Sequence, residues 1–354
     1  MISFADLVIH ILVPLMVLMF LIIISILLIN RAIYQMRLFR RRLTKAKIDQ
    51  FLASLIFIVF DEVSFEIEIN KFKKRIPFKK NWCKAIILDE IINLKQNIKG
   101  ESSKNIHFIY EKFDLFKYTQ RFLKRKEWFI KSLGIYQLQA LEYSKGEDLI
   151  VPFLDNKNEI LSTNAYMALI SLSPKGLNYL SDFPHKINLT TEIKIMDILH
   201  TYKLQMPKNM DTWLRSDNPS IIKLGIKFMV YYNNNNFATQ IIHLLNSPIP
   251  SIRYEVIAAT KDLYIEDAET ILIEQFAQEE LSNQIEILNT LGQIGGEETK
   301  TFIINTLPVL VNLDLKLAAV YALNRIDDGY FDNHFKDDTI IQKMTQQYRN
   351  PYIL

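Results

Sequence analysis

The chain lacks the local motifs by which many enzymes are recognised. It has no glycine-rich phosphate loop, no G-x-S-x-G elbow, no H-E-x-x-H motif and no D-x-D pair. Its six histidines are scattered along the sequence, at positions 10, 107, 185, 200, 243 and 334. From these absences we predict a protein that is not an enzyme and that uses no cofactor and no resident metal.

Cysteine is almost absent, since Cys83 is the only one in the chain. A single cysteine excludes an intrachain disulfide and a cysteine-based metal cluster within one chain. A catalytic thiol needs a neighbouring base, and although Lys79, Lys80 and Lys84 are close in sequence, no histidine is. We therefore interpret Cys83 as a small buried residue.

Glycine is scarce too, with nine in 354 residues. The composition, 49% hydrophobic and 23% charged, is that of a folded protein. Long stretches lack the alternation with period two that half-buried strands require. The sequence therefore predicts an all-α fold.

One long apolar run lies near the start of the chain, from Leu7 to Ile29, and contains no charged residue. As a helix it would exceed a hydrocarbon layer of about 30 Å. A signal peptide would show a basic start, a shorter apolar core and small residues at a cleavage site. We predict a transmembrane anchor over residues 1–30, in which His10 and Pro14 sit near the outer interface and have no special role.

Basic residues follow this run at once, whereas Asp6 is the only charged side chain before it. The basic residues are Arg31, Arg37, Arg40, Arg41, Arg42, Lys45 and Lys47. By the positive-inside rule this asymmetry predicts a single-pass protein of the inner (cytoplasmic) membrane, with its N-terminus outside and the remainder in the cytoplasm.

Charge is divided unequally along the chain. Residues 31–131 carry 24 basic and 11 acidic side chains, whereas residues 132–354 carry 18 and 27. Anionic cytoplasmic leaflets attract juxtamembrane bases by about 1 kcal/mol each. We therefore predict that the basic half contacts an anionic lipid surface. The predicted contact residues are Arg37, Arg40, Arg41, Arg42, Lys45, Lys47, Lys73, Lys74 and Arg75.

Two segments of the basic half have alternative interpretations. Asn70–Trp82 interleaves bases with aromatic rings, which also suits a solvated face or a nucleic-acid track, but a membrane tether makes nucleic acid an unexpected partner. Phe51–Phe60 is apolar but too short to span a bilayer, and Asp49, Asp61 and Glu62 enclose it. We predict that it is buried in protein; the alternative is a re-entrant or interfacial segment.

A helical pattern recurs through the second half of the chain, most clearly in Ile130–Ile135 and Ile221–Ile226. Its copies start at residues 130, 161, 191, 221, 252, 283 and 315, a spacing of 30 to 32 residues. Breakers such as Asp217–Ser220 precede the copies, so each unit reads as helix, tight turn, helix. Small residues at Ala165, Gly225 and Ala259 would let neighbouring units approach closely.

These repeats resemble those of HEAT-repeat proteins, in particular the short-period bacterial variety found in phycobilin lyases. The resemblance covers about residues 128–335 and rests on Pro250–Arg253, Leu291–Gly295 and Ala318–Leu323. The stretch from Phe108 to Leu141 also looks like the entry region of membrane-anchored HEAT proteins of Bacteroidetes-type bacteria. That resemblance implies a protein often found beside a membrane glycosyltransferase.

The predicted organisation is an anchor (1–30), a basic juxtamembrane helical region (31–127), an α-solenoid of about seven HEAT-like repeats (128–337) and a C-terminal cap helix and tail (338–354). Acidic residues between Asp327 and Asp338 are interpreted as a solvated cap. We expect a membrane-anchored scaffold or accessory subunit for a protein partner, with a membrane glycosyltransferase as one candidate. The alternatives are a tetrapyrrole-lyase-like enzyme and a basic tether for a membrane surface or nucleic acid.

Overall fold

The computed structural model describes residues 12–56, 62–97, 102–350 and 352. These residues form α-helices and short 3₁₀ turns, with no β-strand among them, which confirms the all-α prediction. The chain divides into two compact units, Met1–Ala168 and Leu169–Leu354. The domain boundaries that the sequence predicts, near residues 30, 127 and 337, stay predictions.

The first unit contains eight of the described helices, the last of which continues into the second unit. They are α1 (Val13–Ile56), α2 (Glu62–Arg75), α3 (Asn81–Asn97), α4 (Ser102–Lys112), α5 (Leu115–Leu123), α6 (Trp128–Ala140), α7 (Glu147–Ile150) and α8 (Glu159–Leu172).

The second unit alternates long helices with short ones. They are α9 (Leu189–Tyr202), α10 (Met210–Leu214), α11 (Pro219–Tyr231), α12 (Ala238–His243), α13 (Pro250–Asp262), α14 (Glu269–Gln275), α15 (Leu281–Ile294), α16 (Glu297–Thr306), α17 (Leu313–Ile326), α18 (Tyr330–Asn333) and α19 (Thr339–Tyr348).

Helix α1 is 44 residues long and is the candidate membrane span. Pro14 lies in the first described turn of this helix. From Leu12 to Asn30 every side chain is exposed, and this part of the helix is long and apolar enough to cross a membrane. Asp6, His10 and the start of the predicted span lie outside the described residues.

The helix does not end where the apolar run ends, because its last turns belong to the protein core. Ile48, Leu52 and Leu55 recur at helical spacing and are buried. Phe51 stacks on Phe72 of α2, with 3.9 Å between ring centroids. Residues 51–55 therefore pack partly against protein, as the sequence predicts, whereas residues 57–60 and Asp61 lie outside the described residues.

Helices α2 and α3 form a hairpin alongside this part of α1. The Phe51–Phe72 contact shows that α2 returns along α1 towards the candidate span. Helix α3 then runs away from the span, since Arg41 lies over the ring of Trp82 and Lys45 forms an ion pair with Glu90. The turn between the two helices, residues 76–80, is thereby held beside the basic stretch of α1.

The seven predicted repeat starts each lie two residues inside an observed helix. Those helices begin at residues 128, 159, 189, 219, 250, 281 and 313. Asparagine ends the turn before several of them: the side chains of Asn188, Asn218 and Asn312 accept backbone N–H bonds from the first turns of α9, α11 and α17. The breaker residues of the sequence thus act as helix caps.

In the second unit the long helices pack in chain order, α11 on α13, α13 on α15, α15 on α17 and α17 on α19. Helices α13 and α15 run parallel, because Asn283 at the start of α15 donates to the carbonyl of Pro250 at the start of α13, at 3.3 Å. Further along, Thr290 donates to the carbonyl of Ile257 at 3.0 Å. Ion pairs join Lys227 of α11 to Glu192 of α9 and, at 3.2 Å, to Glu255 of α13.

The closest approach in this stack is between α15 and α17. A Cβ added to Gly292 would lie 2.6 Å from the Cα of Ala322, which is backbone and has little freedom to move. Gly225 is less crowded, because its nearest neighbour would be the Cβ of Trp213 at 3.3 Å. The two helical glycines therefore differ in how much they limit packing.

We predict that Gly292→Ala destabilises the protein although alanine is the better helix former by about 1 kcal/mol. The added methyl group must push α17 away, at a cost of about 1–3 kcal/mol. Gly225→Ala is the matched control and should change stability by less. The measurement is the thermal unfolding midpoint of the full chain in detergent, and a Gly292→Ala midpoint at or above that of the wild type would contradict the packing argument.

Arg253 and Glu279 form a nearly buried ion pair between neighbouring units of the stack. The guanidinium donates two hydrogen bonds to the carboxylate and a third, at 2.8 Å, to the carbonyl of Ser247. Burial acts to raise the pKa of Glu279, but hydrogen bonds from Arg253 and Asn283 outweigh it, so that the pKa is lowered. Arg253, part of the HEAT resemblance, thus has a structural contact of its own.

We predict that Arg253→Met lowers the free energy of unfolding by about 3 kcal/mol, because it leaves Glu279 buried without its partner. Arg325→Met, at an exposed arginine, is the control and should change it by about 0.5 kcal/mol or less. Since the folded pKa of Glu279 is lowered, the carboxylate stabilises the fold above its unfolded pKa, and this contribution is lost as pH falls through the folded value. The stability gap between wild type and Glu279→Gln should therefore narrow below about pH 4; a gap independent of pH would refute this.

Candidate functional site

A stripe of basic residues lies on α1 just beyond the exposed apolar part. Arg37, Arg40, Arg41 and Lys47 lie at helical spacing on one broad face, which further along the helix becomes the buried face at Ile48. On the side of α1 that packs on protein at Ile48, the residues nearer the candidate span are therefore basic.

The turn of the α2–α3 hairpin faces this stripe. Its aromatic residue, Phe78, lies between two ammonium groups, with Lys84 at 4.7 Å and Lys73 at 5.0 Å from the ring centroid. At the start of α3, the ring of Trp82 lies 5.8 Å from the guanidinium carbon of Arg41. These cation–π contacts hold the turn in place and fix the ring of Trp82 against α1.

Stripe and turn enclose a cleft of about 540 Å³, which we call the basic cleft. Its charged lining residues are Arg37, Arg40, Arg41, Lys47 and Lys80. Leu43, Thr44, Pro77 and Trp82 complete the lining, which contains no carboxylate. A neighbouring groove of about 720 Å³ shares Pro77 and Lys80 and is lined by further lysines, at positions 73, 74 and 79.

The cations of the basic cleft have no carboxylate within ion-pair distance among the described residues. Lys45, which is close by on the same helix, does have such a partner. Its ammonium group pairs with the carboxylate of Glu90, and this hydrogen bond raises the pKa of Lys45. Five positive charges in one cleft repel one another, and an anion that entered would relieve this repulsion.

The structure separates the predicted contact residues into three groups. Four line the basic cleft: Arg37, Arg40, Arg41 and Lys47. Lys73 and Lys74 line the neighbouring groove. Arg42, Lys45 and Arg75 line neither of them.

Lys73 is held within the first unit. Its ammonium group donates to the carbonyl of Lys112 and lies 3.7 Å from a carboxylate oxygen of Asp114. Burial lowers the pKa of Lys73 against the opposing effect of Asp114. Much of its charge is therefore engaged inside the fold, unlike the charges of the basic cleft.

Two cleft residues, Lys80 and Trp82, were not among the predicted contact residues. The signal was present, because both belong to the basic and aromatic segment Asn70–Trp82. In the sequence, that segment and the basic stretch of α1 are separate features. Only the hairpin brings them to opposite sides of one cleft.

The acidic residues near the end of the chain are engaged in local contacts. Asp327 pairs with Lys300 at 2.9 Å, Asp332 pairs with Arg349 at 2.7 Å, and Asp338 caps α19. Within the described part of the chain, no group of histidine, cysteine, aspartate and glutamate side chains is arranged to hold a metal ion. These acids therefore tie down the last helices of the second unit.

A polar chain is buried at the junction of α4, α5 and α6. The hydroxyl of Tyr110 donates to Thr119 at 2.9 Å, and Thr119 donates to Gln137 at 3.0 Å. Burial raises the pKa of Tyr110, so that its hydroxyl stays protonated. All three side chains are buried and satisfy one another, which makes this chain a structural element.

Comparison with known proteins adds no family to these observations. Neither a scan against protein-family models nor a search of curated proteins found a match for this chain. The resemblance to HEAT-repeat proteins stays a prediction that rests on the residues quoted for it.

Proposed function

We propose that the protein is a membrane-anchored scaffold that recruits a partner protein to the cytoplasmic face of the inner membrane. The observation that carries the proposal is the continuity of α1. One helix has an exposed apolar first half, and its last turns bury the stripe of Ile48, Leu52 and Leu55 in the first unit. An anchor built in this way holds the fold next to the bilayer without a flexible linker.

Charge supports the proposed orientation. The first basic residue of the chain, Arg31, comes just after the apolar run. Residues 31–131 carry 13 more basic than acidic side chains. Bases near an anionic leaflet are attracted by about 1 kcal/mol each. The first unit therefore favours the cytoplasmic surface, with the segment before the span on the outer side.

Repeat geometry supports the scaffold role. We propose that the seven units of about 31 residues form a HEAT-like solenoid, in which each unit buries its apolar face on its neighbours. The regular helix starts and the packing of α11, α13, α15, α17 and α19 in chain order favour this arrangement. Solenoids of this type commonly bind other proteins along one surface, an analogy at the level of the fold.

An apolar ridge on the second unit is the proposed binding surface. Exposed apolar residues occupy the first turn of each long helix there: Leu189, Pro219, Pro250, Leu281, Leu313 and Ile340. Since the long helices from α11 onward pack in chain order and α13 runs parallel to α15, we propose that these positions lie along one edge. Val309 and Val311, 74% and 91% exposed, extend the ridge in the loop before α17.

The partner that fits this ridge is a protein segment with an apolar strip flanked by basic residues. Apolar side chains repeated along an edge match an apolar strip. The second unit, residues 169–354, carries 22 acidic and 16 basic side chains, so basic flanks complement it. A membrane glycosyltransferase is the first partner to test, a choice that rests on the resemblance alone.

We predict that the ends of the chain label from opposite sides of the membrane. In intact spheroplasts, Ser3→Cys should react with a membrane-impermeant maleimide, whereas Val311→Cys should react only after permeabilisation. The parent chain is the control, because burial raises the pKa of Cys83 to about 11 and keeps it as an unreactive thiol. The reverse pattern would overturn the orientation, and recovery of the chain in the soluble fraction would overturn the anchor.

We predict that the ridge contacts a partner in the native membrane. A photo-crosslinking amino acid at Val311 should give one discrete adduct, whose partner can be identified by mass spectrometry. The same probe at Arg325, an exposed residue at the opposite end of α17 from the ridge residue Leu313, is the control. Equal adducts from both positions, or none from Val311, would refute the ridge as the partner surface.

A further inference from the structure

We propose that the basic cleft binds a dianionic phosphate group carried by a membrane lipid, such as the phosphomonoester of a headgroup. This proposal deepens the one above, and its assignment to a lipid rests on α1 being the membrane anchor. The phosphate chemistry itself rests on the cleft alone. In this proposal one phosphate group is the shared ligand of five residues: Arg37, Arg40, Arg41, Lys47 and Lys80.

The lining has the composition that phosphate recognition requires. Three guanidinium groups lie on one helix face, and guanidinium binds phosphate oxygens through two parallel hydrogen bonds. Lys47 and Lys80 add two ammonium groups, and the cleft contains no carboxylate to compete. A phosphodiester with one negative charge would leave most of this charge unbalanced, whereas a dianionic monoester or a diphosphate neutralises more of it.

Position along α1 favours a lipid as the source. Arg37 lies eight residues after Ile29, the last residue of the apolar run, which is about 12 Å along the helix. Interfacial layers extend about 5–8 Å beyond the hydrocarbon on each side. A long arginine side chain bridges the remaining distance towards the membrane. The end of the cleft at Arg37 is therefore within reach of a phosphate that projects from the membrane surface.

The uncharged lining also suits a headgroup better than a bare ion. Leu43, Pro77 and the ring of Trp82 line the cleft together with the cations. Such surface can contact the carbon atoms next to the phosphate.

The structure argues against single-stranded nucleic acid as the occupant. A nucleic-acid track needs a row of accessible rings on which successive bases stack. In the segment Asn70–Trp82, Phe72 is buried against Phe51, and Phe78 lies between Lys73 and Lys84. Trp82 alone remains in the cleft, and its ring already contacts Arg41.

The test is lipid binding by the full-length chain in detergent, measured by native mass spectrometry. Phosphatidic acid provides the monoester, phosphatidylglycerol the diester and phosphatidylcholine the uncharged control. We expect a preference for phosphatidic acid over phosphatidylglycerol, and the double variant Arg40→Gln, Arg41→Gln should weaken phosphatidic acid binding about tenfold or more. Arg31→Gln with Arg42→Gln removes the same charge from the same helix outside the cleft and should have little effect.

Each alternative result has a defined meaning. Equal losses in the two double variants, or no preference between monoester and diester, would overturn the cleft in favour of diffuse surface charge. Equally tight binding of free glycerol 3-phosphate would support the phosphate site and assign it to a soluble source. Displacement of the lipid by a single-stranded oligonucleotide at equal phosphate concentration would overturn the lipid assignment.

The lipid test and the labelling test can fail separately. Lipid binding in detergent does not need α1 to span a bilayer, whereas maleimide labelling in spheroplasts does not need the cleft. If the chain labels as predicted but binds the three lipids equally, the phosphate site is refuted and the membrane anchor is supported. If the chain prefers phosphatidic acid but is found in the soluble fraction, the membrane anchor is refuted and the phosphate site is supported.

Discussion

The first unit depends on one constraint, that a single helix serves two environments. The first half of α1 is apolar on every side, so it has no preferred protein-facing side, whereas the second half buries Ile48, Leu52 and Leu55 along one stripe. Between the two lies a stretch whose packing face is occupied by arginine and lysine. The basic cleft exists because this stretch lies beside the hairpin turn and yet is too charged to be buried.

Charged residues are used differently in the two units. In the second unit, cations such as Lys227, Arg253 and Lys261 form ion pairs between neighbouring long helices or the turns that precede them, and these pairs supplement the apolar contacts of the stack. In the first unit, the cations of the basic cleft have no carboxylate within ion-pair distance among the residues that the structure describes. Such an arrangement costs stability through repulsion, and it is the reason for proposing an anionic ligand there.

Spacing between α15 and α17 is set by small residues at their point of contact. Gly292 against Ala322 is the clearest case, because the backbones approach too closely for a further methyl group. The repeat pattern indicated that small residues would fill this role, and it gave the helix starts to within two residues. It did not indicate which pairs would meet, since contact between positions about thirty residues apart depends on how each long helix lies on the next.

What the sequence determined by itself was local in origin. The absence of charge over Leu7–Ile29, the bases after it and the period of 30 to 32 residues predicted a long apolar helix, a basic region and a series of helices, because spacing and composition act within one or two turns. The tertiary structure decided which distant parts of the chain face each other. Lys80 and Trp82 face the stripe of α1 only because α2 turns back along that helix, and the turn is held there by aromatic contacts between residues far apart in the chain.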